Sequence, residues 1–412
     1  MTQNPSELAL ELVNHCLRGN SWPQDLLDAL LESALSFDPH VAAEASHALF
    51  GIVVERLADL FEPALCDTYA RLFSEVIERA EGLDSADLIA RYQHVRQPRV
   101  FNGPDPSRVF VLSRVTLGAD VAITSAILSA MKRRFPNSEI VLAGPPKAWE
   151  LFSGDSRIAH LPVYYDRSSV LSDRLTIWPE VRASVDRPDS IVIDPDSRLT
   201  QLGLLPICEE ERYFFFESRA YGGYEHQPLT TLTAQWIETT FGVSNAQPFI
   251  SAGPSPIDTR DAITVSFGVG ENHAKRVPDP FERHLLAFLI STGKRIVIDK
   301  GAGGEEAARV DRAVTAARPP DGQIKFWNGA FAPFAAAISG SRLYVGYDSA
   351  GQHVAAACGV PLVTVFAGFA SDRMFARWQP TGPGPKRIIA VRTPDPSGVL
   401  EDTKEAVKQL LR

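Results

Sequence analysis

Apolar positions recur along this chain in two different rhythms. Up to residue 98 they return every three or four residues: Leu27, Leu30, Leu31 and Ala34 share one face, and Leu65, Tyr69, Leu72, Phe73, Val76 and Ile77 share another. That spacing predicts helices. Pro23, Pro39 and Pro63 stand at first-helical positions, Ser21 and Asp38 near the caps, and Gly82 at an end. Four or five antiparallel helices are expected, with no 34-residue repeat. From Val109 the rhythm changes to short apolar runs separated by helical stretches. Val109 to Leu112, Ile140 to Ala143, Ile158 to Pro162 and Ile191 to Asp194 read as buried strands, and Tyr213 to Phe216 as an edge strand. Asp120 to Phe135, Trp149 to Phe152 and Leu229 to Phe241 read as helices between and after them. The loop-rich GVSNAQPFISAGPSPID is followed by a second alternating series: Ala262 to Phe267, Phe281 to Ser291, Arg295 to Asp299, Gly304 to Ala317, Ile324 to Trp327 and Phe331 to Ser339. The fold class is therefore α/β, two parallel-sheet domains in tandem behind an all-α domain. Its expected boundaries are 1–98, 99–250 and 251–412, with the Pro-rich stretch 96–108 as a linker.

Charge sharpens the first boundary. Residues 1–98 hold 16 acidic residues against 6 arginines and no lysine, a net −10, whereas the rest is close to neutral at +1. Nucleic acid is thereby an unfavoured partner, since phosphate binding rests on Lys and Arg. No apolar run reaches the eighteen or so residues of a membrane helix, and the start lacks a basic head followed by an apolar run. The expectation is a cytoplasmic protein without a transmembrane segment, peripheral membrane contact staying open. Cys16, Cys66, Cys208 and Cys358 are scattered without metal or disulfide spacing, so no metal site is expected.

Three stretches carry chemistry. In YVGYDSAGQHVAAACGVPLVTVFAG, a strand, a turn, a small-residue helix and a second strand form one parallel unit, in which Asp348 and Ser349 fall where the helix begins. A side-chain oxygen there caps the first amides, the remaining amides make an anion seat, and Ala350 and Gly351 are small enough for a diphosphate to approach. Taken alone, a capping Asp and a packed His353 are the plainer explanation. At the end of the first strand, Thr116-Leu117-Gly118-Ala119-Asp120 runs directly into a helix, which allows a tight turn at Gly118 and places Asp120 at the helix start, facing the cleft. Asp is also a favoured cap, so that position too has a structural explanation. After the strand at Ala262 lies a glycine-bearing loop, Gly268-Val269-Gly270, leading to Lys275.

These residues resemble the bacterial lipopolysaccharide heptosyltransferase family, the ADP-heptose-using glycosyltransferase family 9. Asp348-Ser349-Ala350-Gly351-Gln352-His353-Val354-Ala355-Ala356-Ala357 is similar to that family's Asp-Thr-Gly-x-x-His-Leu-x-Ala-Ala signature, and Arg377-Trp378-Gln379-Pro380 to its Arg-Trp-x-Pro segment. Asp120-Val121-Ala122-Ile123-Thr124 resembles Gly-Asp-Val-x-x-Thr, and the stretch from Lys275 to Pro278 resembles Lys-x-Trp-Pro. The departures are Ala119 and Ala350 for glycines, Ser349 for Thr and Val277 for Trp. The resemblance spans about residues 107–392 and implies a fold of the GT-B type, with two facing Rossmann-like domains.

It also implies a function: an inverting, metal-independent glycosyltransferase without cofactor, moving a sugar, heptose being the family's, from a nucleotide-diphosphate donor, ADP-linked in the family, to a glycan, lipid-linked or protein acceptor. Asp120 would be the catalytic base, and Gly118, Gly270, Lys275, Asp348, Ser349, Ala350, Gly351 and His353 would bind the nucleotide sugar. The glycines after the strand ending at Asp299, with Glu305 or Glu306, would lie near the nucleotide. Asp194-Pro195-Asp196 has the letters of a metal motif and is as easily a turn. Rival readings are a nucleotide-sugar epimerase, a non-catalytic binding protein of the same fold, and a protein glycosyltransferase whose helical domain docks the acceptor.

Overall fold

A computed structural model describes residues 4–19, 21–270, 272–301, 303–392 and 395–412. Two all-parallel sheets follow a helical N-terminal region, as the two rhythms predict. The first sheet is built from β1 (Arg108–Leu112), β2 (Glu139–Gly144), β3 (Ile158–Pro162), β4 (Ser190–Asp194) and β5 (Tyr213–Phe215), in the order β3-β2-β1-β4-β5. The second holds β6 (Ala262–Ser266), β7 (Arg295–Asp299), β8 (Ile324–Trp327), β9 (Leu343–Tyr347), β10 (Leu362–Phe366) and β11 (Lys386–Ala390), in the order β11-β10-β9-β6-β7-β8. Each order reverses once, between β1 and β4 and between β6 and β9. Those two reversals are where open parallel sheets leave a crevice at their strand ends.

The N-terminal helices, Pro5–Leu17, Gln24–Ala34, a run beginning at Pro39, Pro63–Glu81 and Ser85–Val95, cover one face of the first sheet. Phe110, Leu112, Val141, Ala143, Val192, Tyr213 and Phe215 share one core with Leu27, Leu30, Tyr69 and Phe73. The alternate residues Val109, Val111, Ile140, Leu142, Ile191, Ile193 and Phe214 face the other way, against Ile127, Met131, Trp236 and Phe241. Strands buried on both faces explain why these segments read as unbroken apolar runs. Residues 1–98 are thus built into the body of the protein rather than tethered to it. The Pro-rich stretch 96–108 carries no regular element before β1, yet Phe101 is anchored, its ring 5.3 Å from Phe135 and 5.7 Å from Phe214.

Several elements escaped the sequence pattern, among them the short helix Asp372–Arg377 and the two that follow. Leu171–Val185 is a helix with Pro179 inside it and only five buried residues, so no apolar stripe announces it. Edge strand β11 is half-buried along most of its length and follows a Pro/Gly-rich turn. The last helix, Pro396–Leu411, closes the chain on the second half. Its Val399, Leu400, Ala406 and Val407 pack on the second sheet with Val345, Val363 and Val365.

Candidate functional site

Both crevices carry the residues singled out above, and they face each other. Behind β1 a helical run opens at Thr116, passes through Leu117–Ala119 and widens to a π-helical turn over Asp120–Thr124 before continuing as Ser125–Arg134. π-Turns inside helices recur at functional sites. Asp120 lies one turn into this run, whose cap position is Thr116, and it is fully buried. Its Oδ2 accepts from Ser113 Oγ (2.8 Å), and its Oδ1 accepts from the Arg114 amide (2.7 Å) and Thr124 Oγ1 (2.8 Å). Burial raises the Asp120 pKa, and these three donors pull it back.

The turn that Asp120 holds is strained. Val115 has φ 69°, a region that a β-branched residue seldom enters, and its amide donates to Ser113 Oγ at 2.8 Å. Of eight non-glycine residues with positive φ among those described, five cluster at this edge: Phe61, Val115, Asp196, Gln201 and Leu202. Such strain collects at functional sites.

Beside it, a buried charge network fills the space after β4 and β5. Asp196 pairs with Arg219 and lies 3.6 Å from Arg114, and Arg219 and Arg198 both reach Asp59 at 3.4 Å. Burial, with Arg219 alongside, lowers the Arg114 pKa to about 10. The metal reading of Asp194-Pro195-Asp196 does not fit this arrangement. Asp194 accepts from the Ser197 amide, Thr200 Oγ1 and Tyr213 Oη, so both carboxylates are held by protein donors. Among the described residues no group of three or more His, Cys, Asp or Glu side chains is placed to hold a metal ion.

In the second crevice the chain brings together residues 73 positions apart. Lys275 Nζ sits 2.7 Å from Asp348 Oδ2, and Gln352 Nε2 donates to Asp348 Oδ1. Asp348 was expected to cap the helix. The cap position belongs to Ser349, whose side chain makes no cap bond, and the Asp348 carboxylate is engaged by Lys275 and Gln352. The leading amides of Ala350–Ala357 therefore have neither an intrahelical acceptor nor a capping side chain. His353 is buried; burial is the main cause that lowers its pKa to about 4, so it is a neutral imidazole at neutral pH. Its ring lies 5.9 Å from Trp378, which itself stands 5.8 Å from Phe61.

The two crevices touch at Gly118. A Cβ there would lie 3.5 Å from Ala350 Cα and 3.5 Å from His353 Cδ2. Gly118 lies in a helical turn with no positive φ, so the tight turn foreseen for it is absent and its importance is its position against Ala350. Gly351 is different, since a Cβ would meet Tyr344 Oη at 2.3 Å. Gly270, exposed with φ 61°, turns the loop that leads to Lys275. Of the acidic pair near the next glycines, Glu306 accepts from the Val269 amide at 3.0 Å and lies 3.6 Å from Arg276, while Glu305 pairs with Arg312 on the surface.

The Arg-Trp segment turns out to brace the two halves. Arg377, fully buried, donates to the Tyr221 carbonyl at 2.9 Å; Arg373 donates to the carbonyls of Phe61 and Gly223. Burial, with Arg373 beside it, lowers the Arg377 pKa to about 10. No sequence signal marked Arg114, Arg198, Arg219 or Asp59 for this edge, because each belongs to a different segment and only folding collects them.

Residues 211–394 match the family model Glycosyltransferase family 9 (heptosyltransferase). No curated protein matches the sequence. Among solved structures, E. coli heptosyltransferase WaaC with ADP is similar at 17% identity and a TM-score of 0.53, over 74% of this chain and 98% of that one. A family 9 glycosyl transferase from Veillonella parvula is similar at 18% and 0.55, over 76% and 99%. E. coli ADP-heptose lps heptosyltransferase II is similar at 18% and 0.50, over 74% and 100%. The neighbours are covered almost whole, while about a quarter of this chain has no counterpart in them. The resemblance to the glycosyltransferase family 9 heptosyltransferases therefore holds, carried in sequence by residues 211–394 and in fold by both parallel sheets.

Proposed function

We propose that this chain is a glycosyltransferase that moves a sugar, a heptose by family, from an ADP-linked donor to an acceptor hydroxyl with inversion at the anomeric carbon. The observation that carries the reading is the Lys275–Asp348 pair, set beside the uncapped start of Ala350–Ala357 and directly across Gly118 from Asp120. A cation and a row of amides at the second sheet's reversal suit a nucleoside diphosphate. The similarity to E. coli heptosyltransferase WaaC with ADP and to E. coli ADP-heptose lps heptosyltransferase II supports the adenine nucleotide.

In the proposed step the acceptor oxygen bonds to the anomeric carbon while its proton passes to Asp120. The bond from that carbon to the diphosphate oxygen breaks, its electron pair leaving with the nucleoside diphosphate. Three of the four acceptor positions of the Asp120 carboxylate are filled, which leaves one for the incoming hydroxyl. The raised pKa makes Asp120 a stronger base than an ordinary carboxylate. Lys275 and the helix amides stabilise the leaving charge, so we read the transfer as metal-independent. Asp348 cannot itself receive a phosphate. It aims Lys275, and neutral His353 can donate or accept a hydrogen bond but brings no charge.

Calorimetric titration with ADP, UDP, GDP and CDP tests the reading, followed by transfer from the ADP-sugar. Selective ADP binding that weakens in Lys275→Ala is expected. Absence of binding by all four nucleotides would sink the nucleotide-sugar assignment.

A further inference from the structure

The N-terminal helices and the first sheet enclose a cavity between them. His47, Phe50, Gly51, Val54 and Glu55 line it from one side, and Tyr165, Arg167, Arg174 and Arg198 from the other. We propose that this cavity is an anion site that takes the charged group, carboxylate or phosphate, of the acceptor.

Its chemistry points that way. Three arginines converge on about 70 Å³, room for one small oxyanion rather than a sugar ring. Arg198 Nη2 reaches Asp59 at 3.4 Å, but Nη1 of the same guanidinium is buried without a hydrogen-bond partner. A buried, unpartnered donor on a charged fork is costly to leave empty and suits a bidentate oxyanion. Arg174 is held rigid, donating from Nε to the Ser169 carbonyl at 2.8 Å and lying 3.6 Å over the Phe50 ring. At the outer rim Arg167 pairs with Glu55 at 3.3 Å.

The place fits an acceptor as well. Arg167 and Arg174 follow β3, Arg198 follows β4 and Asp120 follows β1, so the arginines and Asp120 come from segments that leave the carboxyl ends of strands of one parallel sheet. Arg198, Asp59, Arg219, Asp196 and Arg114 form a continuous polar chain from the cavity to Asp120, which accepts from the Arg114 amide. The opposite wall is the π-helical turn Leu49–Val54, the counterpart of the π-turn that carries Asp120. That wall belongs to the N-terminal helices, which gives those helices a part in acceptor choice.

The inference that the anion belongs to an acceptor rests on the transferase reading, and one experiment keeps the two apart. The full chain, saturated with ADP to occupy the donor crevice, is titrated calorimetrically with inorganic phosphate and separately with D-glucuronate. Saturable binding of either probe is expected, the tighter one naming the acceptor's charged group. Arg198→Gln should weaken it by roughly 10-fold or more and the exposed Arg167→Gln by roughly 3-fold, with ADP affinity unchanged in both. Binding of neither probe, or binding that both variants leave as it is in the parent protein, overturns the anion site. If ADP itself does not bind, the transferase reading fails, and the same probe titrations without ADP still decide the cavity.

Discussion

The two sheet reversals share a topology and are treated in opposite ways. Around β1 and β4 the strand ends are sealed: Asp120 is buried under neutral donors, the backbone is strained at Val115 and Asp196, and the N-terminal helices close the edge with Asp59 and Phe61. Around β6 and β9 the chain leaves small residues, free helix amides and a part-exposed ion pair. The first arrangement suits a group that must be held at one orientation and kept from water. The second suits a ligand that arrives charged and must find its counter-charge without rearrangement of the backbone. Under the proposed function, one fold unit would serve as a chemical clamp on one side and as a docking cradle on the other.

The largest test of that contrast is Asp120→Asn. The isosteric change keeps the volume that holds the Ser113–Val115 turn, and if Asp120 takes the acceptor proton, kcat should fall by ~100- to 10,000-fold with a folded protein in the melting curve. Full turnover in the variant would reduce Asp120 to a structural clamp. Next in size is the acid sensitivity of the cradle. His353 is neutral in the fold, with a pKa lowered from 6.5 to about 4, so the unfolded chain binds its proton first as pH falls. Stability present above 6.5 should therefore be lost progressively between about 6.5 and 4, by about 3 kcal/mol from this group. Denaturant titrations across that window should show the loss, and His353→Gln should flatten it.

Lys275→Ala should weaken ADP binding by ~1–3 kcal/mol in the calorimeter, since a charge-assisted contact is removed. Equal affinity would mean that the helix amides alone hold the diphosphate. The finest test compares two glycines. Gly351→Ala drives a Cβ into the Tyr344 ring and should cost ~1–3 kcal/mol of stability, whereas Gly118→Ala meets only ordinary contacts and should change it by less than about 0.5 kcal/mol. An effect of Gly118→Ala on turnover without one on melting would show that the halves must part there.

Much of this was legible in residue order. Strand runs, helix caps and the spacing around Asp120, Lys275 and Asp348 are local signals, and each of those stretches lies at the carboxyl end of a strand next to a sheet reversal. Side-chain roles were less legible. Asp348 reads as a cap until Lys275 is brought to it from 73 residues away, and Asp120 reads as a cleft residue until Ser113 and Thr124 close on it. The helix Leu171–Val185 was silent because its face toward the core is narrow.

The sequence by itself determined two parallel sheets behind a helical start, since strand and helix periods depend only on near neighbours along the chain. It also pointed to the donor chemistry, because the resembling motifs are contiguous. The tertiary structure alone decided that the N-terminal helices share a core with the first sheet, that Arg377 braces the halves, and that Arg198, Asp59 and Arg219 meet at one edge. Those contacts join residues up to 160 positions apart, and their pairing follows from which faces are buried together, a choice that no local pattern records.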